Sequence, residues 1–403
     1  LSVHTNQNGW FGAEMRLISV ILFVVEFVRG AVLVSLLPIY GAKSLGLAPD
    51  VIGAAISAHY ITDTLLKMAI GYLLDRFSIR IVVQAGLIIS LAGVYLLQFA
   101  ELPWMLIGSA ALYGIGMSPI WIVCLTKVTK EKRATQMGLL YTIWMVGLGS
   151  GPIVCNILLD YNVSFTYKLL VSMSAAACLL TLFMSKEKAN TPSSIPMRQQ
   201  FIILKERLSH IKLLLPGMIL QTTGASMLIP ILPVFADQEL GLSGTQYSIL
   251  LTAGGVCAVA GLVPMGTLSD KLGGKKWFLT AGFMLFSLGL YLLASGLTFW
   301  YCLLISAGLG LSYSAILPAW NALLAAYVPP KQEGLGWGVL STFEGIGVMI
   351  GPGIGGLIAA WRGEAAVFWM SAILFGLIGV FYFFLPIRLF TVNDKATNKL
   401  ERG

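Results

Sequence analysis

Charge is scarce in this chain. Of 403 residues only 26 are Lys or Arg and 18 are Asp or Glu, 11% in all, where a soluble domain carries about a quarter. A water-facing surface cannot be built from so little charge, which excludes a soluble enzyme. Histidine is nearly absent: His4, His59 and His210 are too few and too scattered to make a metal site. The five cysteines (Cys124, Cys155, Cys178, Cys257, Cys302) sit singly in apolar runs without C-x-x-C spacing. They read as small buried hydrophobes rather than disulfides or metal ligands. No phosphate-binding G-x4-G-K-[ST] loop occurs, so ATP is not expected as the energy source. No bound cofactor and no catalytic constellation is expected. Long polar stretches are lacking too, with one exception between 186 and 212.

What fills the chain is apolar: 57% hydrophobic residues and a mean hydropathy of +0.84. Hydropathy marks twelve segments, near 16–40, 51–74, 81–99, 103–126, 137–159, 167–185, 213–236, 247–268, 277–296, 299–327, 336–360 and 366–388. Each is long enough to cross a bilayer as a helix. This predicts an all-α polytopic membrane protein of twelve transmembrane helices. The polar stretch then separates a six-helix bundle at 1–185 from a second at 213–403. Within 186–212, "FIILKERLSHIK" has the pattern of a short amphipathic surface helix.

The net charge of +8 belongs to the membrane rather than to nucleic acid. With both termini and the central linker on one side, that side holds 21 Lys and Arg and the opposite side three, with Arg29 and Lys67 inside spans. The positive-inside rule makes the rich side cytoplasmic. The expectation is a multi-pass membrane protein with both termini inside.

The two halves repeat each other. Gly71-Tyr-Leu-Leu-Asp75-Arg76 corresponds to Gly266-Thr-Leu-Ser-Asp270-Lys271, and Leu37-Pro38-Ile-Tyr40 to Leu232-Pro233-Val-Phe235, both at an offset of 195. Gly138-x8-Gly147-x3-Gly151-Pro152 corresponds to Gly338-x8-Gly347-x3-Gly351-Pro352 at an offset of 200. On these motifs the chain resembles the major facilitator superfamily over essentially its whole length. The Gly-x3-Asp-[Arg/Lys] pattern after spans two and eight is similar to that superfamily's cytoplasmic-loop signature, with Ser78 replacing the usual Gly of the first copy. The glycine–proline pattern of spans five and eleven resembles its antiporter signature, and predicts close helix approach where the halves rock. The resemblance implies substrate between the halves and alternating access.

Subtracting one half from the other isolates the charges inside the membrane, whose default reading is functional. Glu26 and Arg29 in span one, and His59, Asp63 and Lys67 in span two, align with Gln221, Gly224, Gly254, Ala258 and Leu262, so none is repeated. Spacings of three, and of four and four, put each set on one helix face. A carboxylate there holds a proton more tightly through desolvation and less tightly beside a cation. Arg29 is therefore placed to tune protonation of Asp63 or Glu26. The competing reading is a structural ion pair, with Lys67 snorkelling outward. In the second half Glu344 is either a further proton site or a hydrogen bond to a neighbouring helix. Trp121, Trp144 and Trp320, the last followed by Asn321, either stack on a sugar ring or fill core.

A polar, Trp-bearing first half facing an apolar second half suggests an amphipathic substrate. The strings "EFVRG" (26–30), "HYITD" (59–63), "SPIWIV" (118–123), "LPAWN" (317–321) and "WGVLSTFEGIGVMIGP" (337–352) resemble the proton-coupled glycolipid flippases that supply the lipoteichoic acid anchor of Gram-positive bacteria. That resemblance implies a diglucosyl-diacylglycerol moved to the outer leaflet in exchange for protons, with Glu26, Arg29, Asp63, Trp121 and Trp144 at the headgroup and proton-linked positions. A proton-driven multidrug exporter is the alternative. Such exporters carry an Arg in span four, which "MLIGSAALYGIGMSPIWIV" lacks. A membrane enzyme or a non-transporting sensor is a lesser alternative.

Overall fold

The computed structural model describes residues 13–126, 133–187, 213–272, 274–325, 333–387 and 390. The elements are helical throughout, and no β-strand occurs among the described residues. Span one begins as α1 (Ala13–Gly30) and continues through two π-helical stretches, Ala31–Leu36 and Tyr40–Ser44, on either side of the short α2 (Leu37–Ile39). Spans two and three are α3 (Pro49–Arg76) and α4 (Ile79–Leu96). Span four is broken into α5 (Pro103–Ile115) and α6 (Ser118–Thr126). Spans five and six are α7 (Arg133–Tyr161) and α8 (Val163–Leu180). Span seven comprises α9 (Leu215–Met227) and α10 (Leu232–Gln238), bent by 43°. Then follow α11 (Gly244–Leu272), α12 (Lys275–Leu293), α13 (Phe299–Ala325), α14 (Glu333–Arg362) and α15 (Glu364–Phe384).

Ten of the described helices are long and apolar enough to cross a membrane, and the bent pair α9–α10 makes eleven. The twelfth expected span is α3. Its 28 residues extend about 42 Å at 1.5 Å per residue, ample for a hydrocarbon core of about 30 Å. It falls short on apolarity alone, because His59 and Asp63 lie in its middle. The expected amphipathic helix of the linker lies outside the described residues, as do both chain termini.

Prolines explain the breaks. Pro119 lacks the N–H that would bond back to Ile115, and span four turns at Gly116–Met117 just before it. Pro230 and Pro233 fall at the bend of span seven. Pro38, the repeat partner of Pro233, sits between the two π-helical stretches of span one. The same residue in each half thus interrupts regular helix, once as a bend and once as a π-helix.

The buried side chains form one cluster running from Met15 to Met184 and a second from Leu214 to Phe390. The halves meet through α3 against α14 and α7 against α11. At one end Lys43 Nζ donates to Asp237 Oδ1 at 2.7 Å. Beside it, Asp160 at the end of α7 accepts from the main-chain N–H groups of Gly244 (2.9 Å) and Thr245 (2.7 Å) at the start of α11. Deeper in, the Gly353 N–H donates to Ser57 Oγ at 2.8 Å, and Ser248 Oγ donates to the Ile153 carbonyl at 2.8 Å. This is the end that the loop charges assign to the outside.

Glycine makes this closure attainable. A β-carbon at Gly53 would overlap the Pro352 carbonyl, and one at Gly356 would overlap the Pro49 carbonyl. Overpacking such a contact costs about 1–3 kcal/mol. Gly356→Leu is therefore expected to disfavour the closed end by roughly tenfold in population. Labelling of Ser57→Cys by an impermeant maleimide, in a background without the native cysteines, reads this out. Unchanged labelling would show that the contact does not hold the halves together.

Candidate functional site

The polar centre is assembled where α1, α3 and the break in span four meet. Glu26 and Arg29 share one face of α1, and Arg29 Nη2 lies 2.7 Å from Glu26 Oε2. The other guanidinium nitrogen, Nη1, lies 3.8 Å from Asp63 Oδ2 on α3. Both carboxylates are buried, Glu26 at 2% and Asp63 at 4% exposure. One cation thus spans two carboxylates on different helices, tightly to Glu26 and loosely to Asp63.

Asp63 is held from its other side by Ser118, the first residue of α6. Its hydroxyl donates to Asp63 Oδ1 at 2.5 Å, with the Asp63 carbonyl at the same distance. One turn earlier on α3, His59 is fully buried. Its ring packs edge-on to Tyr60 at 5.3 Å and tilted against Tyr113 at 4.8 Å. Both tyrosines lie within electrostatic reach of Arg29. A β-carbon at Gly114 would overlap the His59 carbonyl, so α5 and α3 approach closely at this level.

Trp121 and Trp144 come together, with ring centroids 6.4 Å apart and planes inclined at 51°. The helix turn that carries each of them passes beside Glu26. Trp121 is one turn from Cys124, which lies within electrostatic reach of Glu26. Trp144 is one turn from Gly147, where a β-carbon would stand 3.1 Å from Glu26 Cβ. Trp320 is elsewhere. It is 1% exposed in the core of the second half and stacks on Tyr382 with centroids 6.1 Å apart. Its indole N–H faces Glu344 without forming a hydrogen bond of good geometry. Tyr313 is also within electrostatic reach of Glu344. Asn321 is exposed. The structure therefore gathers Glu26, Arg29, His59, Asp63, Trp121 and Trp144 in the first half and leaves Glu344 with Trp320 in the second.

The glycines of the two motifs pack inside each half, while Pro352 of the second motif also meets Gly53 across the interface between the halves. A β-carbon at Gly151 would overlap the Phe27 carbonyl, pinning α7 to α1 within a turn of Glu26 and Arg29. A β-carbon at Gly351 would overlap Ser226 Oγ, pinning α14 to α9. Pro152, inside α7, leaves the Leu148 carbonyl without its helical partner, and that carbonyl abuts Gly30. Of the loop motifs, Gly266 packs on Pro318, with a β-carbon 3.3 Å from Pro318 Cβ, and Lys271 is exposed. Lys67, Gly71, Asp75, Arg76 and Asp270 lie outside the residues whose side chains are described.

Sequence reasoning did not single out Ser118, Tyr60 or Tyr113. A serine or tyrosine in an apolar run carries no charge signal. The Gly116–Pro119 break in span four was the available clue to Ser118.

Three comparisons bear on this arrangement. The family model described as the Major Facilitator Superfamily matches residues 18–215 and again 214–399. The chain is 30% identical over 381 residues to the "Proton-coupled antiporter flippase LtaA" of Staphylococcus saprophyticus, covering 94% of each chain. It is 31% identical over 384 residues to the protein of the same name from Staphylococcus haemolyticus, covering 93% of this chain and 95% of that one. Among solved structures, a point mutant of the nucleoside transporter NupG superimposes with a TM-score of 0.75 at 14% identity, over 92% of this chain and 98% of that one. The last likeness concerns the fold alone. An all-helical architecture in two repeated halves, each matched by the same family model, establishes that the chain belongs to the Major Facilitator Superfamily.

Proposed function

We propose that this transporter flips an amphipathic glycolipid, of the diglucosyl-diacylglycerol type used in lipoteichoic acid assembly, from the inner to the outer leaflet of a bacterial plasma membrane in exchange for protons. The observation that carries the reading is one buried arginine shared between two carboxylates on different helices. The relatives named proton-coupled antiporter flippases, at about 30% identity over nearly the whole chain, support it.

The geometry suggests how coupling works. A proton arriving on Asp63 removes its attraction for Arg29, which passes wholly to Glu26. The Ser118 hydroxyl, able to accept as well as donate, then receives the Asp63 O–H. Sugar hydroxyls compete for the same guanidinium and carboxylates, and the Trp121–Trp144 pair offers ring faces to a sugar. The lipid tails lie against the apolar second half. Proton and headgroup thus draw on the same groups, and each access state favours one of them, which is the condition for coupling. Glu344, on the opposite half, serves as a second proton-accepting site. Glu344→Gln is expected to lower the number of protons moved per lipid while flipping continues, read from the gradient at which net flipping stops. An unchanged balance point would confine Glu344 to a structural role. Protons are the only cofactor in this reading, and both termini face the cytoplasm.

The test is flipping of a labelled diglucosyl-diacylglycerol by the purified protein in liposomes, with and without an imposed proton gradient. Gradient-stimulated flipping is the expected result. Absence of flipping, together with gradient-driven efflux of a dye or antibiotic, would make the protein a drug exporter instead.

A further inference from the structure

The second half carries an apolar groove remote from the ion cluster. It encloses about 640 Å³ between α12 and α13, with Met265 of α11 at its edge. Gly282, Gly289 and Gly308 lie along its floor, the first two closed from α13 by Ile316 and Leu309, and Leu285, Leu288 and Leu292 form its exposed wall. A β-carbon at Gly308 would meet nothing within 4 Å, so the hollow there is real space and not a tight helix contact. From Trp277 to Leu292 the groove runs about 22 Å along α12 at 1.5 Å per residue. One leaflet of hydrocarbon is about 15 Å deep, half of a core of about 30 Å. The groove therefore accommodates an acyl chain of a single leaflet along its whole length.

Its mouth is cationic. Lys275 lies on the α12 stripe that continues through Phe278, Gly282, Leu285 and Gly289, so it caps the groove in line with its floor. Lys271 ends the adjoining α11 and is exposed. Lys276 is fixed by donating to the Leu385 carbonyl at 2.7 Å, and its ammonium stands 5.3 Å from the centroid of the Trp277 ring, which lines the mouth. Among the described side chains at this end of α11 and α12, these three lysines make the mouth net positive. An interfacial Trp beside lysines at the end of a chain-length apolar slot matches a lipid with a negatively charged headgroup.

We propose that this groove is a binding site for an anionic phospholipid of the leaflet on the lysine-rich side, its acyl chain over Gly282, Gly289 and Gly308 and its phosphate at Lys275. The occupant is a resident lipid of the surrounding bilayer and not the transported molecule. The groove lies on the second half, whereas Glu26, Arg29 and Asp63 lie on the first. An uncharged glycolipid would leave the lysines unmatched.

Native mass spectrometry tests this on the full chain released from bilayers of equal parts phosphatidylglycerol and phosphatidylcholine. The expected result is preferential retention of one phosphatidylglycerol. Lys275→Gln should lower that preference about fivefold, the effect of one basic residue at a membrane surface. Gly308→Phe should displace the lipid by filling the hollow. Lys275→Gln alters only a partly exposed side chain, so it keeps the test decisive if Gly308→Phe does not fold. Equal retention of the two lipids, or undiminished preference in Lys275→Gln, overturns the proposal. So does equal retention of an uncharged diglucosyl-diacylglycerol when it takes the place of phosphatidylcholine, which would put the cargo's own tails in the groove. None of these outcomes depends on whether the protein flips glycolipid.

Discussion

Asp63→Asn is expected to abolish stimulation of flipping by a proton gradient while the protein still folds and binds lipid. The amide keeps the shape of the carboxylate and can still accept the Ser118 hydroxyl, now 2.5 Å from Oδ1. What disappears is the charge that draws Arg29 Nη1 to within 3.8 Å, and with it any difference between protonated and ionised states at this position. Arg29 then belongs to Glu26 in every access state. A ligand that binds two states equally shifts neither, so a proton gradient has nothing left at Asp63 to act on. If the wild type is stimulated about tenfold, equivalent to a coupling free energy of ~1.4 kcal/mol, the variant should show a ratio near one. Measuring flipping at two gradients in the same liposomes separates this from a general loss of activity. A variant that keeps the wild-type ratio would move the coupling site away from Asp63.

The largest loss of stability is expected from Arg29→Met. The parent guanidinium lies 2.7 Å from one carboxylate and 3.8 Å from another, both nearly sealed from solvent. Removing the shared cation leaves two buried acids without their counter-ion, and breaking a buried pair in this way costs about 3–5 kcal/mol. Methionine preserves most of the volume, so the loss reports charge and not a cavity. The asymmetry of the distances makes a sharper prediction. Glu26 lies 2.7 Å from the guanidinium and Asp63 3.8 Å, so Glu26 draws more on its charge. Glu26→Gln should therefore rescue Arg29→Met more fully than Asp63→Asn does. Thermal unfolding of the four proteins in one detergent measures this. Equal stability of Arg29→Met and the parent would mean that the two acids are already neutral in the native state.

The membrane spans were legible because the bilayer imposes a length and a composition that a window of residues either meets or does not. The tandem repeat was legible because its Gly, Pro and Asp positions keep their spacing. The charges of the first half stood out because an ion inside a membrane is costly wherever it occurs. α3 shows the limit of the same signal: His59 and Asp63, which mark it as a candidate site, are what lower its apolarity as a span.

Partnership across helices was not legible. No spacing rule relates Arg29 to Asp63, or Ser118 to either, since their proximity depends on how α1, α3 and the broken span four pack. Trp121, Trp144 and Trp320 have the same local signature, yet two meet beside Glu26 and the third is stacked on Tyr382 in a separate core. The glycine motifs announced close approach, but only the packing showed that α7 closes on α1 and α14 on α9, while Gly53 and Gly356 join the halves. The sequence by itself determined the number and order of apolar segments, the repeat and the inventory of buried charge, because these follow from residue-by-residue transfer into hydrocarbon. The tertiary structure alone decided which charges share a cation, which aromatic rings face one another and where the halves close, because those follow from contacts between residues far apart in the chain.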